Sequence, residues 1–147
     1  MSLPAMNGQA FASQWAGQQL LIRFFHLLDA KRHEELVALF SQDAVWERPG
    51  ASLSGHEEIT ASLRARPAQR VSHHVVSNFL VAREDGEVLH ASCMLSTYAV
   101  DAPQPGVAPQ LVGSFIGLFK VDAELGMGGD RPCIVRLQFA PSLVFAR

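Results

Sequence analysis

Apolar positions recur three or four apart in the N-terminal part of the chain and alternate in the C-terminal part. From Ala10 to about Ala30 the series Phe11, Trp15, Leu21, Ile22, Phe25, Leu28 follows the helical period and predicts a first helix. After a break at Asp29-Ala30-Lys31, the apolar side Leu36, Leu39, Phe40 predicts a shorter helix from about Arg32 to Phe40. Ser41-Gln42-Asp43 ends it, and Ala44-Val45-Trp46-Glu47 reads as a short strand. Arg48 to Ser54, with Pro49, Gly50 and two serines, is expected to be a loop. Gly55-His56-Glu57-Glu58 opens a third helix, whose first-turn acids suit the positive end of the helix dipole. That helix should stop before Pro67, because the residue preceding a proline is disfavoured in helical geometry.

Past Arg70 the period changes from helix to strand. Strands are predicted over Arg70 to Arg83, Val88 to Val100, Gln110 to Asp122 and Cys133 to Phe145. The first two are joined by a hairpin turn centred on Asp85-Gly86. Asp101 to Pro109 holds three prolines and a glycine and is a loop, which could serve as a lid. Glu124 to Pro132 is a Gly-rich turn. Helices followed by an antiparallel meander give the α+β class, here one domain over residues 1–147, with residues 1–9 a loose arm.

Composition narrows the function. The 147 residues are 48% hydrophobic and 18% charged, which suits a globular core. A formal net charge of −2 leaves no electrostatic footprint for nucleic acid or an anionic membrane. No run reaches the length of a membrane span, and the N-terminus lacks the basic-then-apolar layout of a signal peptide, so a cytoplasmic location is expected. Cys93 and Cys133 lack metal-ligand spacing and are expected to be free thiols. Gly126-Met127-Gly128-Gly129 lies between strands with no helix to receive a phosphate, so it is a turn. His73, His74 and an acid match no metal signature, and neither metal nor cofactor is expected.

Candidate chemistry centres on the strand Arg70 to Val81. Alternation puts His74, Val76 and Asn78 on one face and His73, Val75 and Ser77 on the other. Polar groups on both faces of an apolar strand are a local conflict of the kind that marks functional sites. His74 is expected to point inward and His73 outward. Asp29 ends the first helix, where a carboxylate opposes the dipole. It has two possible partners, His74 across the fold and His26 one turn earlier. His33 and His56 are expected to be solvated. Trp15, Phe25, Trp46, Phe79, Phe115, Phe119 and Phe139 are core residues, of which a subset would line a pocket for a flat apolar ligand.

The order helix, helix, short strand, helix, four long strands resembles the nuclear transport factor 2-like superfamily, and within it the SnoaL-like proteins. The echoes are the run Arg23-Phe24-Phe25-His26-Leu27-Leu28-Asp29, the stretch Glu35 to Trp46, the Gly55-His56-Glu57-Glu58-Ile59 helix start, and His74-Val75-Val76-Ser77-Asn78. The resemblance implies a cone in which a curved sheet wraps the helices around an apolar cavity, and a homodimer through the outer sheet face. It does not imply one activity, because the superfamily holds isomerases, dehydratases, cyclases, dioxygenase subunits and binding modules. A ketosteroid isomerase is unexpected, since Phe24 stands where those members have a tyrosine and Arg48 where they have the base aspartate. Scytalone dehydratase members pair a helix-one aspartate with a strand histidine, and Asp29 and His74 are similar. Their second histidine falls near Ala91 or Ser92, and only a register shift would bring in His90; Tyr98 is the one tyrosine.

The resemblance and the residues together imply a cofactor-independent acid/base enzyme acting on a hydrophobic carbonyl compound. His74 and Asp29 would be catalytic, with Asn78, Ser92, His90, Phe25, Trp46, Trp15 and Phe115 against the substrate. The rival expectation is a non-catalytic pocket protein or accessory subunit.

Overall fold

The computed structural model describes residues 7–101, 103–108 and 115–144. Three helices, α1 (Gly8–Asp29), α2 (His33–Val37) and α3 (Gly55–Arg64), precede or interrupt six strands. The strands are β1 (Phe40–Arg48), β2 (Ala51–Ser54), β3 (Val71–Asp85), β4 (Val88–Val100), β5 (Phe115–Gly126) and β6 (Cys133–Val144). They form one sheet in the order β2-β1-β6-β5-β4-β3. All pairings are antiparallel except β1 with β6, which is parallel, so the sheet is mixed and not the purely antiparallel one expected. The α+β class holds.

The largest differences from the expected elements lie between residues 37 and 54. Helix α2 stops at Val37, not Phe40, because the Leu39 carbonyl accepts the Ile134 N–H at 2.8 Å and draws the chain into the sheet beside β6. The expected loop after Arg48 is the tight turn Pro49-Gly50, with Gly50 at φ 79°, and Ala51–Ser54 folds back on β1 as an edge strand. Proline followed by a positive-φ glycine is what a type II turn requires. Strand β5 runs on to Gly126, while the expected residues 110–114 lie outside the described set, as does the arm over residues 1–6. Asn7 caps α1, its side chain accepting the Ala10 N–H, so the helix opens ahead of the expected Ala10.

The buried face of α1 is Leu20, Leu21, Phe24, Leu27 and Leu28 with Gly17 and Phe25, whereas Phe11, Trp15 and Ile22 face solvent. Gly17 lets α1 approach the sheet closely, since a Cβ there would lie 2.7 Å from Leu89 Cδ2. Phe24 packs edge-to-face on Phe25, Phe40 and Trp46 at centroid distances of 5.0, 5.6 and 5.3 Å. Such contacts fix ring geometry as well as burying area. Among the described residues no helix is long and apolar enough to cross a membrane.

Candidate active site

Against the sheet, between α1 and the connection from α3 to β3, lies a cavity of about 290 Å³. Its apolar wall is built by Leu28 of α1, Trp46 of β1, Leu95 of β4, Phe119 of β5 and Phe139 of β6. His74 of β3 completes it. Five of the six strands contribute, which requires the sheet to curve around the space.

The C-terminus of α1 delivers Asp29 to the start of β3. One carboxylate oxygen, Oδ1, lies 2.6 Å from His74 Nδ1 and accepts the Ser72 hydroxyl at 3.0 Å; Oδ2 accepts the His74 backbone N–H at 2.8 Å. Ser72 and His74 are two apart on the strand and therefore share its inner face. The histidine side chain is 7% exposed and that of Asp29 19%. The Phe25 ring covers the imidazole at 5.5 Å and 30°. Burial alone would raise the Asp29 carboxyl, but the side-chain hydrogen bond and charge of His74, with the donors from its backbone and Ser72, outweigh it and hold the group below its ordinary range. An ionised Asp29 accepts the Nδ1–H and so selects the tautomer whose Nε2 carries the lone pair. With Nδ1 engaged, Nε2 is the ring nitrogen left for a ligand.

Three further polar residues line the cavity, Thr97 of β4 and two arginines. Arg48, at the end of β1, has Cζ 5.0 Å above the Trp46 ring centroid, and its Nη2 donates to Ser62 Oγ of α3. Arg66 lies just after α3. Burial holds both guanidiniums below the ordinary arginine value, and Arg70, for Arg66 also Arg48, pushes in the same direction. Neither arginine belonged to the expected site. Arg48 was legible as a departure from the isomerase pattern, and Ser72 from its spacing to His74. Nothing in the periodicity pointed to Arg66.

Of the expected residues, His74 and Trp46 line the cavity, and Asp29 stands behind His74, bonded to it. Phe25 is 1% exposed and touches the site through His74. Trp15 is 57% exposed on the outside of α1, so it lines nothing. Asn78 is exposed and does not share the inner face: it sits at φ 53° in a bulge where the β3–β4 register shifts between Ser77 and Leu80, and Phe79 and Val81 turn inward instead. Ser92 and His90 are also misplaced. The β4–β5 register runs unbroken from Val88 to Thr97, which turns Leu89, Ala91, Cys93 and Leu95 inward and the residues between them to the outer face. No shift rescues His90. The Phe115 side chain lies outside the described set. His73 is exposed as expected, and Asp29 pairs with His74, not His26. His56 is half-buried and bonds the Phe40 carbonyl at 2.9 Å, and His33 is half-buried beside Lys31 and Arg66. Both had been expected in solvent. Among the described residues no three His, Cys, Asp or Glu side chains gather as metal ligands.

A family model for the SnoaL-like domain matches residues 9–124. The chain belongs to the SnoaL-like family. Solved structures with this fold include a candidate scytalone dehydratase from Novosphingobium aromaticivorans, 13% identical, with a TM-score of 0.76 over 97% of this chain and 92% of that one. The β subunit of benzoate 1,2-dioxygenase from Burkholderia mallei is 15% identical, with a TM-score of 0.69 over 95% and 93%. A cystatin-like protein of unknown function from Nostoc punctiforme is 18% identical, with a TM-score of 0.73 over 97% and 98%. No curated protein matches the sequence. At these identities the likeness is one of fold, and this SnoaL-like chain must be read from its own site.

Proposed function

We propose that this protein is a cofactor-independent enzyme that transfers protons to and from a hydrophobic carbonyl compound held in the cavity. The observation that carries the reading is the buried Asp29–His74 pair, with His74 in the cavity wall. Nε2 takes a proton from the carbon next to the substrate carbonyl, and the imidazolium is stabilised by Asp29. Nε2 exchanges its proton with solvent and then delivers one to a conjugated carbon in an isomerisation, to the alkoxide formed when the enolate attacks a second carbonyl in a cyclisation, or to a departing hydroxyl in a dehydration. The lining residues hold no second histidine and no tyrosine to assist a leaving group. That supports isomerisation or cyclisation over dehydration. It also favours the second reading, a pocket protein that binds such compounds without turnover.

The test is a panel of aromatic and polyketide-like carbonyl compounds incubated in deuterated water, with label uptake and product mass followed by mass spectrometry. Label uptake with the wild type and its loss in His74→Ala, with circular dichroism showing that the variant is folded, is expected. Loss in a His73 variant but not in the His74 variant would sink the assignment. Binding with neither exchange nor product would leave the pocket-protein reading. Oligomerisation belongs to the same proposal: Val75 and Leu80, 52% and 64% exposed on β3, favour a homodimer through the outer face of the sheet.

A further inference from the structure

Arg48 and Arg66 are an unexpected expense in an otherwise apolar cavity. Three guanidiniums act on one another there, since Arg70 depresses both and Arg48 depresses Arg66. The carboxylates that oppose Arg66 are Asp29 and Asp101, and each already has a partner: Asp29 holds His74 and Ser72, and Asp101 holds Arg70 at 2.5 Å. Arg70 and Asp101 offset one another and Asp29 is engaged by His74, which leaves Arg48 and Arg66 without a carboxylate of their own. Among the described residues neither Arg48 nor Arg66 forms an ion pair with a carboxylate. The field extends outward as well. Arg66 also borders an adjoining hollow of about 280 Å³ whose wall carries Lys31, Arg64 and Arg70, although the chain as a whole is net negative.

A half-buried charge without a carboxylate partner is unfavourable, and a site that keeps two such groups is complementary to an anion that arrives with the ligand. Arginine suits this role because its charge persists on burial and its planar fork matches a carboxylate. Arg48 is held in advance by the Trp46 face and the Ser62 hydroxyl, so little ordering entropy remains to be lost when a ligand binds. The apolar walls meanwhile require a hydrophobic body.

We infer that the ligand is a hydrophobic carboxylic acid, its aromatic or polyketide-like body against Trp46, Phe119 and Phe139 and its carboxylate on Arg48 and Arg66. This assignment names the substrate class of the site and rests on the cavity, whether or not His74 turns the compound over. The carboxylate would be a permanent anchor at the arginine end, distinct from the carbonyl addressed by His74.

The test uses 2-naphthoate as probe, with 2-naphthamide and methyl 2-naphthoate as uncharged counterparts, in calorimetric titrations. The wild type is expected to bind naphthoate about tenfold or more tighter than either counterpart, as a charge-assisted contact implies. Arg66→Gln and Arg48→Gln should each remove most of that preference while leaving naphthamide binding within about twofold, with circular dichroism confirming the fold. Should Arg48→Gln fail to fold, Arg66→Gln decides alone. His74→Gln should retain the preference. Equal binding of acid and amide by the wild type, a preference that survives both arginine substitutions, or no binding of naphthoate at millimolar concentration would each overturn the inference. Loss of proton exchange in His74→Gln with the preference intact supports both readings. An intact preference without exchange in the wild type removes the enzyme and leaves the acid-binding site standing.

Discussion

Asp29 accepts three hydrogen bonds and stays charged, so its replacement by Asn removes both the charge that stabilises an imidazolium and the lock on the tautomer. Turnover should fall by about 10²–10⁴, read from initial rates on whichever compound the panel identifies. The same group sets an acid limit. Its carboxyl in the folded protein titrates below the ordinary value, so as pH falls the unfolded chain takes up the proton first. The stability it contributes is complete above the ordinary carboxylate range and disappears as pH drops through the folded value. Urea midpoints of wild type and Asp29→Asn should therefore differ at neutral pH and converge only once the pH has fallen below the ordinary carboxylate value, through the lower folded one. Cys93 illustrates the opposite case: burial, with Asp122 adding to it, pushes its thiol up to about 12. In a Cys133→Ser background no thiol should react with a disulfide reagent at pH 8 until urea is added. Residue type and spacing made Asp29 and His74 legible beforehand, because both the helix-end acid and the inward strand histidine violate local preference. Arg66 was not legible, since a cation in a connection has no period to say which way it points.

At the scale of elements, strand alternation located His74 but failed four residues later. The bulge at Asn78 costs one residue of register and hands the inner face to Phe79 and Val81. Asn tolerates the left-handed backbone there, which no alternation rule anticipates. Asn78→Gly should leave stability within a few tenths of a kcal/mol, whereas Asn78→Val should cost about 1–2 kcal/mol, measured by chemical denaturation, and neither should alter ligand affinity. A loss of binding in Asn78→Gly would return that side chain to the site. The helices were legible because their apolar stripes are long, and α3 opens at the expected Gly55. Phe40 to Asp43 was not, since its extended conformation depends on a partner strand that lies far away in sequence. Gly117 in β5 is a further constraint: a Cβ there would collide with the Leu143 carbonyl of β6, so Gly117→Ala should disturb that pairing and lower the melting temperature.

Taken whole, the molecule curves its sheet around a cavity walled by His74 with Asp29 behind it, and the outer face carries Val75 and Leu80 in solvent. If that face joins two copies, light scattering at micromolar concentration should give twice the chain mass, and Leu80→Lys should halve it; a single-chain mass for the wild type would dispose of the dimer. The order β2-β1-β6-β5-β4-β3 has a consequence for how the molecule comes to exist. The sixth strand in chain order is not at an edge but in the middle, inserted between β1 and β5. Until β6 emerges, the hairpin β1–β2 and the meander β3 to β5 have no shared ladder, and Trp46 has no Phe139 to pack against. Folding must wait for contacts between residues about a hundred positions apart, which makes it slow and exposes open strand edges to chaperones in the interval. The cavity is therefore assembled in a late step, when β6 joins the two halves of the sheet.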